Sequence, residues 1–286
     1  MPFGIASAVV YGTSIVFQHR TAQEHADGGQ ASATGLLSML RRPVFLLAIG
    51  GDSVGFLLQL VALSTGPVVV IQPLVVLMLP VSIGVTFLCG GRRPSVGDYL
   101  GVLGVLGGLT VFLALIGQPG VGHIPRPRVL GLAVLLVLLS ALVLVLVVAG
   151  RNRVVRAATY GAVAGGCFGT LAVMVAAAAA WASRAGYEGV FESPRGLIPL
   201  AGIVVLGVAG MTLTQLSFQI GALGATLPAN LAADPVVGVL LGVLLLHEQV
   251  PLSAGHLAGY LVCLVAVVAG AIRLANPADE PSPTRP

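Results

Sequence analysis

Two carboxylates stand where carboxylates are costly. Asp52 lies in AIGGDSVGF and Asp234 in LAADPVVG, each near the middle of a long apolar run. An ionisable group at that depth is a functional candidate by default, because hydrocarbon offers it neither water nor a partner. The chemistry open to it is exchange of a proton or binding of a cation. Gln59 follows Asp52 by seven residues, two helical turns, so both share one face. Thr226, Asn230 and Asp234 fall at i, i+4 and i+8 and form a polar stripe. Gln215 and Gln219 form an i, i+4 pair, with Thr212 on the same side. These stripes are expected to face the interior of a helix bundle, where they could hold a substrate. The competing reading is that they only bond to neighbouring helices. Asp234, set just before Pro235, has a further structural option: it could bond a donor freed by a kink, or sit protonated as a donor itself.

The prolines point to the same region. Pro73 and Pro80 lie seven apart in one apolar run, and Pro228 and Pro235 lie seven apart in another. Each removes a backbone donor and frees a carbonyl at membrane depth, which is tolerated beside protein or a wet cavity. Kinks are therefore expected at all four positions, around a central cavity. His247 and Glu248 close the later run; Glu248 reads as an interface marker, and His256 could approach it. His19, His25 and His123 show no metal spacing, and no metal-ligand set is legible. There is no HExxH, no readable Ser-His-Asp arrangement and no phosphate-cradling GxxxxGK[ST], so neither an enzyme nor a cofactor is expected. Cys89, Cys167 and Cys263 form no CxxC and read as small packing residues.

The elements that position these residues follow from composition. With 57% hydrophobic and 8% charged residues and a mean hydropathy of +1.02, the 286-residue chain is too poor in charge for a soluble domain. The pattern predicts an all-α integral membrane protein of about nine spans, at 2–19, 43–65, 67–89, 97–117, 129–149, 156–183, 197–219, 222–246 and 253–273. The first reads as a retained helix rather than a signal peptide. Residues 20–42 read as an inner loop with a short surface helix, and residues 275–286 as a disordered tail. All 14 basic residues are Arg, and the excess of Ala, Gly and Val points to a GC-rich genome and a bacterial inner membrane. Ten of those arginines fall inside if the N-terminus is outside and the C-terminus cytoplasmic. The net charge of +4 is thus a topology signal; without an aromatic-flanked basic patch it implies no nucleic acid.

A fixed shift of 155 places Gly66, Pro73 and Pro80 on Gly221, Pro228 and Pro235. Gly4, Ala8 and Gly12 match Gly161, Gly165 and Gly169, stripes that let helix backbones approach closely. Gly104 and Gly108 form a further pair. Spans 1–4 (residues 1–117) therefore repeat as spans 6–9 (residues 156–274), joined by a lipid-facing linking helix at 129–149 in a single membrane domain over 1–274. The orientation from the arginines makes the repeats inverted.

LLGVLLLHEQVPLSAGHLAGYLVCLVAVVAGAI resembles the closing part of the EamA-type repeat of the drug/metabolite transporter superfamily, with Glu248 at the Glu position and Gly259 at a Gly of the last helix. GATLPANLAADPVVGVLLG resembles its preceding, proline-bearing helix; the first copy departs with GGRRPS near where the Glu would fall. Nine spans rather than ten is similar to the NIPA-like branch. The resemblance implies a secondary-active transporter that moves a small metabolite, drug-like molecule or ion by alternating access, coupled to protons or a cation. Its alternative is a magnesium or other divalent cation transporter; a non-transporting membrane scaffold is the reading from a different class. The expected partners are the small-molecule or ion substrate and the bilayer, with the chain a monomer or homodimer.

Overall fold

Long apolar runs must satisfy their backbone internally in a bilayer, and the apolar runs among the described residues do so with helices. The computed structural model describes residues 1–26, 43–90, 94–117, 119, 124–220 and 223–275. Among these there are nine helices: α1 Pro2–Ala26, α2 Pro43–Thr65, α3 Val68–Leu88, α4 Val96–Ile116, α5 Pro127–Val147, α6 Arg153–Glu192, α7 Pro194–Ile220, α8 Leu223–Leu246 and α9 Ala254–Ala275. Seven, α3 to α9, contain apolar stretches long enough to cross a membrane. The chain is a multi-pass helical membrane protein. The first two expected spans do not reach that measure over their described residues; α1 contributes the apolar helix Pro2–Phe17.

Several boundaries differ from the expected ones. α1 continues to Ala26, past the expected loop start at residue 20. The expected surface helix and the C-terminal tail lie outside the described residues. α6 extends to Glu192 but turns at Gly186, whose φ of 74° lies in the left-handed region that glycine tolerates. α3 is not one helix. It has an α-helical turn at Val68–Ile71, a 3-10 stretch at Gln72–Leu77 and an α-helix at Met78–Leu88. Pro73 sits at the start of the 3-10 stretch, where its missing N–H breaks the α ladder. α8, by contrast, runs unbroken through Pro228 and Pro235, and Pro80 lies within the continuous Met78–Leu88 helix.

Sequence-local caps fix the helix starts. Ser95 and Asp98 form a reciprocal capping box at α4, with the Asp98 N–H 3.2 Å from Ser95 Oγ and the Ser95 N–H 2.7 Å from Asp98 Oδ2. Asn152 Oδ1 accepts the Val155 N–H at the start of α6.

Glycines then draw helices together along three seams. α6 packs on α8, and the backbones at Gly161, Gly165 and Gly169 lie against those of Thr226, Asn230, Asp234 and Gly238 with no room for a methyl group. α1 packs on α2 and α3; a methyl on Gly12 would sit 2.6 Å from the Met78 carbonyl oxygen, and one on Gly4 3.0 Å from Leu74. α4 packs on α9, with Gly101, Gly104 and Gly108 against Gly270, Ala266 and Cys263. α5 packs on α6 and α7 through Leu130, Ala133 and Ala141 and exposes Leu132, Leu135, Leu136, Leu139 and Leu142, as a lipid-facing helix should. Cys167 and Cys263 are buried packing residues, but Cys89, at the end of α3, is exposed.

Candidate functional site

The α6–α8 seam brings Asp234 into the middle of the bundle. Its backbone lies against Gly165 and Gly169, and its side chain, 7% exposed, turns toward α3. There it meets Gln72, 3% exposed, whose Nε2 donates to Asp234 Oδ1. Gln72 stands where α3 changes from α to 3-10, and its aliphatic stem lies against Gly238 of α8. The chain of amides continues into α2: Gln59 Nε2 lies 3.5 Å from Gln72 Oε1. Asp234, Gln72 and Gln59 are thus a buried polar line through three helices. It ends on Gln59 Oε1, which is enclosed and accepts no hydrogen bond from the described residues.

Asp52 is half-buried on the same face of α2 as Gln59. Tyr11 of α1 lies within electrostatic reach of both Asp52 and Asp234, with its ring packed at Gly55 of α2. The structure joins Gln59 to Asp234 through Gln72, while Asp52 and Asp234 each act on Tyr11. Gln72 and Tyr11 were missed. Gln72 had a signal, since it is the one polar residue in GPVVVIQPLVV; Tyr11 had only its place beside a glycine stripe.

The expected stripe Thr226–Asn230–Asp234 divides between two neighbours. Thr226 Oγ1 lies 2.6 Å from Ser217 Oγ of α7, and Ser217 in turn donates to the Ala157 carbonyl of α6 at 2.8 Å. Asn230 Nδ2 lies 3.4 Å from Thr214 Oγ1, also on α7. Both tie α8 to α7, while Asp234 faces α3. A span of eight residues at 100° per residue turns the helix by about 80°, enough to change neighbours. Gln215 and Gln219 lie on α7, but their side chains are outside the described residues.

Glu248 corrects a second expectation. It is not an interface marker: it is 5% exposed, and its carboxylate accepts the N–H groups of Val68 at 2.7 Å and Val69 at 2.9 Å. The first turn of a helix has N–H groups with no intrahelical acceptor, and here the cap comes from 180 residues away. His247 makes the turn, with φ 54°, and the Glu248 N–H returns to the Gly242 carbonyl. Burial pushes the Glu248 carboxyl above its ordinary range, against the opposing pull of the Val69 and Val68 N–H groups. His256 does not approach it. Its Nδ1 lies 2.7 Å from Ser253 Oγ at the start of α9.

Beside the polar line lies an apolar cleft of about 390 Å³, whose lining includes none of Asp234, Gln72 and Gln59. Pro73 and Pro235, the residues after Gln72 and Asp234, form one wall; Phe112 of α4 and Tyr260 and Leu264 of α9 form the other. Its rim residues Leu240, Leu257 and Leu261 are exposed. The polar line, rather than this cleft, holds a carboxylate. Among the described residues no group of three or more His, Cys, Asp or Glu is placed to hold a metal ion.

No protein-family model and no solved structure matches the chain. It is 27% identical over 289 residues to an uncharacterized protein of Corynebacterium glutamicum, an alignment that covers 98% of this chain and 96% of that one.

Proposed function

We propose that the chain is a secondary-active transporter of the drug/metabolite type, which moves a small molecule or ion by alternating access and couples that movement to a proton or cation at Asp234. The observation that carries this reading is the placement of Asp234. It is buried where α3, α6 and α8 meet, bonded to an amide on an interrupted helix, with Tyr11 in electrostatic reach. A structural acid could be replaced there by a neutral residue at lower cost; a coupling acid could not.

We read the chain as nine spans in two inverted halves, of which α3 to α9 are long and apolar enough to cross a membrane. α1 packs on α2 and α3 as α6 packs on α7 and α8, while α4 and α9 pack on each other across the halves and α5 links them. With the N-terminus outside and the C-terminus cytoplasmic, in a bacterial plasma membrane, the Pro67 and Glu248 end of the bundle faces outward. Trp181, whose Nε1 donates to the Gly189 carbonyl and whose ring lies 5.0 Å from the Arg195 guanidinium, sits at the outer end of α6, a setting suited to a membrane interface.

The test uses proteoliposomes loaded with a pH-sensitive dye and challenged with a panel of metabolites and cations. Wild-type protein should move protons in response to its substrate. Folded Asp234→Asn protein, which keeps shape and hydrogen bonding but cannot titrate, should not. Wild-type flux across a range of pH in that variant would defeat the coupling role.

A further inference from the structure

α8 and α9 follow each other in the chain, yet each is drawn most tightly to another helix. Gly161, Gly165 and Gly169 of α6 take α8, and Gly101, Gly104 and Gly108 of α4 take α9. The two helices therefore part beyond the connection at 247–253 and leave the apolar cleft between them, backed by Pro73 of α3 and Phe112 of α4. Its lining carries no charged side chain. The hydroxyl of Tyr260 donates to the Pro251 carbonyl at 3.1 Å, so it is engaged at the helix end. Leu240 of α8 and Leu257 and Leu261 of α9 stand exposed at the mouth. In a chain that spans a membrane, a mouth of this kind opens on hydrocarbon. Water inside would find no hydrogen-bond partners, and an empty cleft would forfeit dispersion contacts.

Length decides what fills it. The lining begins at Val250 and Leu252 in the connection and runs along α9 from Leu257 to Val267. At 1.5 Å per residue, the α9 stretch is about 15 Å long. That is half the roughly 30 Å of a bilayer's hydrocarbon, the depth of one leaflet. The cleft thus starts at a helix end and stops near the midplane, along the path of one acyl chain. We propose that it is a lipid site, which takes one acyl chain of a phospholipid from the leaflet on the side of the 247–253 connection. The chain packs on Pro73 and Pro235, next to Gln72 and Asp234, so that hydrocarbon rather than water covers that side of the buried polar line. With no charge in the lining, the site selects chain length and not headgroup. It does not depend on a coupling role for Asp234.

The test reconstitutes the protein with a phosphatidylcholine that carries a diazirine near the end of one chain. The protein is then extracted into detergent, washed free of loosely held lipid and irradiated. Peptide mapping locates the adducts, and native mass spectrometry counts the lipid retained. Wild-type protein should keep one phospholipid per chain, with adducts at 235–239 and 263–267. Val239→Trp puts a ring where the chain would lie and should lose both signals; Val239→Phe is the milder filler if the first variant does not fold. Val208→Trp, on an exposed part of α7, should keep both. Ethanolamine and glycerol headgroups on the same chains should be retained equally, and short-chain analogues poorly. Adducts spread over other exposed helices, no retained lipid, a strong headgroup preference, or full retention in folded Val239→Phe overturns the proposal. So does a dimer in which the cleft seats a second copy instead of lipid. None of these outcomes bears on whether Asp234→Asn loses proton-coupled flux, so the two readings fail separately.

Discussion

Glu248 accepts two peptide N–H groups from the far end of the sequence, and its surroundings set its protonation apart from that of a surface carboxylate. Burial raises its folded pKa above the ordinary 4.5, so its ionisation opposes folding. The stability it contributes is complete below pH 4.5 and is lost as the pH rises through the elevated folded value. The Tm of wild-type protein relative to Glu248→Gln should therefore fall as the pH is raised from 4.5, and a difference that instead grows with pH would show that the N–H groups outweigh burial. The two acids in apolar runs were legible in the sequence, because any charge there stands out against its neighbours. Gln72 stood out as a polar residue in an apolar run but its role did not, and Tyr11 did not stand out, since only the packing of α3 and α1 gives them partners. Glu248 was visible but misread. Residues after a helix end look like an interface when the segment they cap lies 180 residues away.

At the scale of elements, the glycine stripes carried the clearest signal. Spacing of four predicts a flat helix face whatever it packs against, and the α6–α8 seam uses every one of its three glycines. Gly165→Leu should lose at least about 3 kcal/mol or fail to fold, because the added bulk meets the backbone at Asn230 and Asp234, which cannot turn aside. Gly107→Leu is the matched control: a side chain added there meets nothing within 4 Å, so its thermal stability should stay near wild type. If both variants melt together, the seam is not where the bundle is tight. The break in α3 was half legible. Proline spacing predicted kinks at four positions, but the 3-10 stretch forms at Pro73, whereas α8 absorbs its two prolines in a continuous helix. A missing N–H costs a helix one bond; whether the helix yields depends on what packs around it.

For the whole molecule, the all-helical membrane class follows from hydropathy, whereas seven of the nine expected spans reach a spanning length over the described residues and the expected orientation rests on arginines that lie partly outside them. Single-cysteine labelling with an impermeant maleimide, in a background lacking Cys89, Cys167 and Cys263, decides it. Glu188→Cys should label from outside and Arg151→Cys only after permeabilisation; the reverse pattern would overturn the proposed orientation. Which helices pair was not legible, because glycine stripes give a face and not a partner: the α4–α9 contact joins the two halves across most of the chain. The Glu248 cap also has a consequence for synthesis. The Val68 and Val69 N–H groups emerge 180 and 179 residues before their acceptor. At about 5–20 residues per second, the ribosome needs roughly 10–40 s to deliver it. During that interval the start of α3 must be hydrated or held by the insertion machinery. The N-terminal half therefore enters the bilayer with an unfinished end, and the last loop to be made completes it.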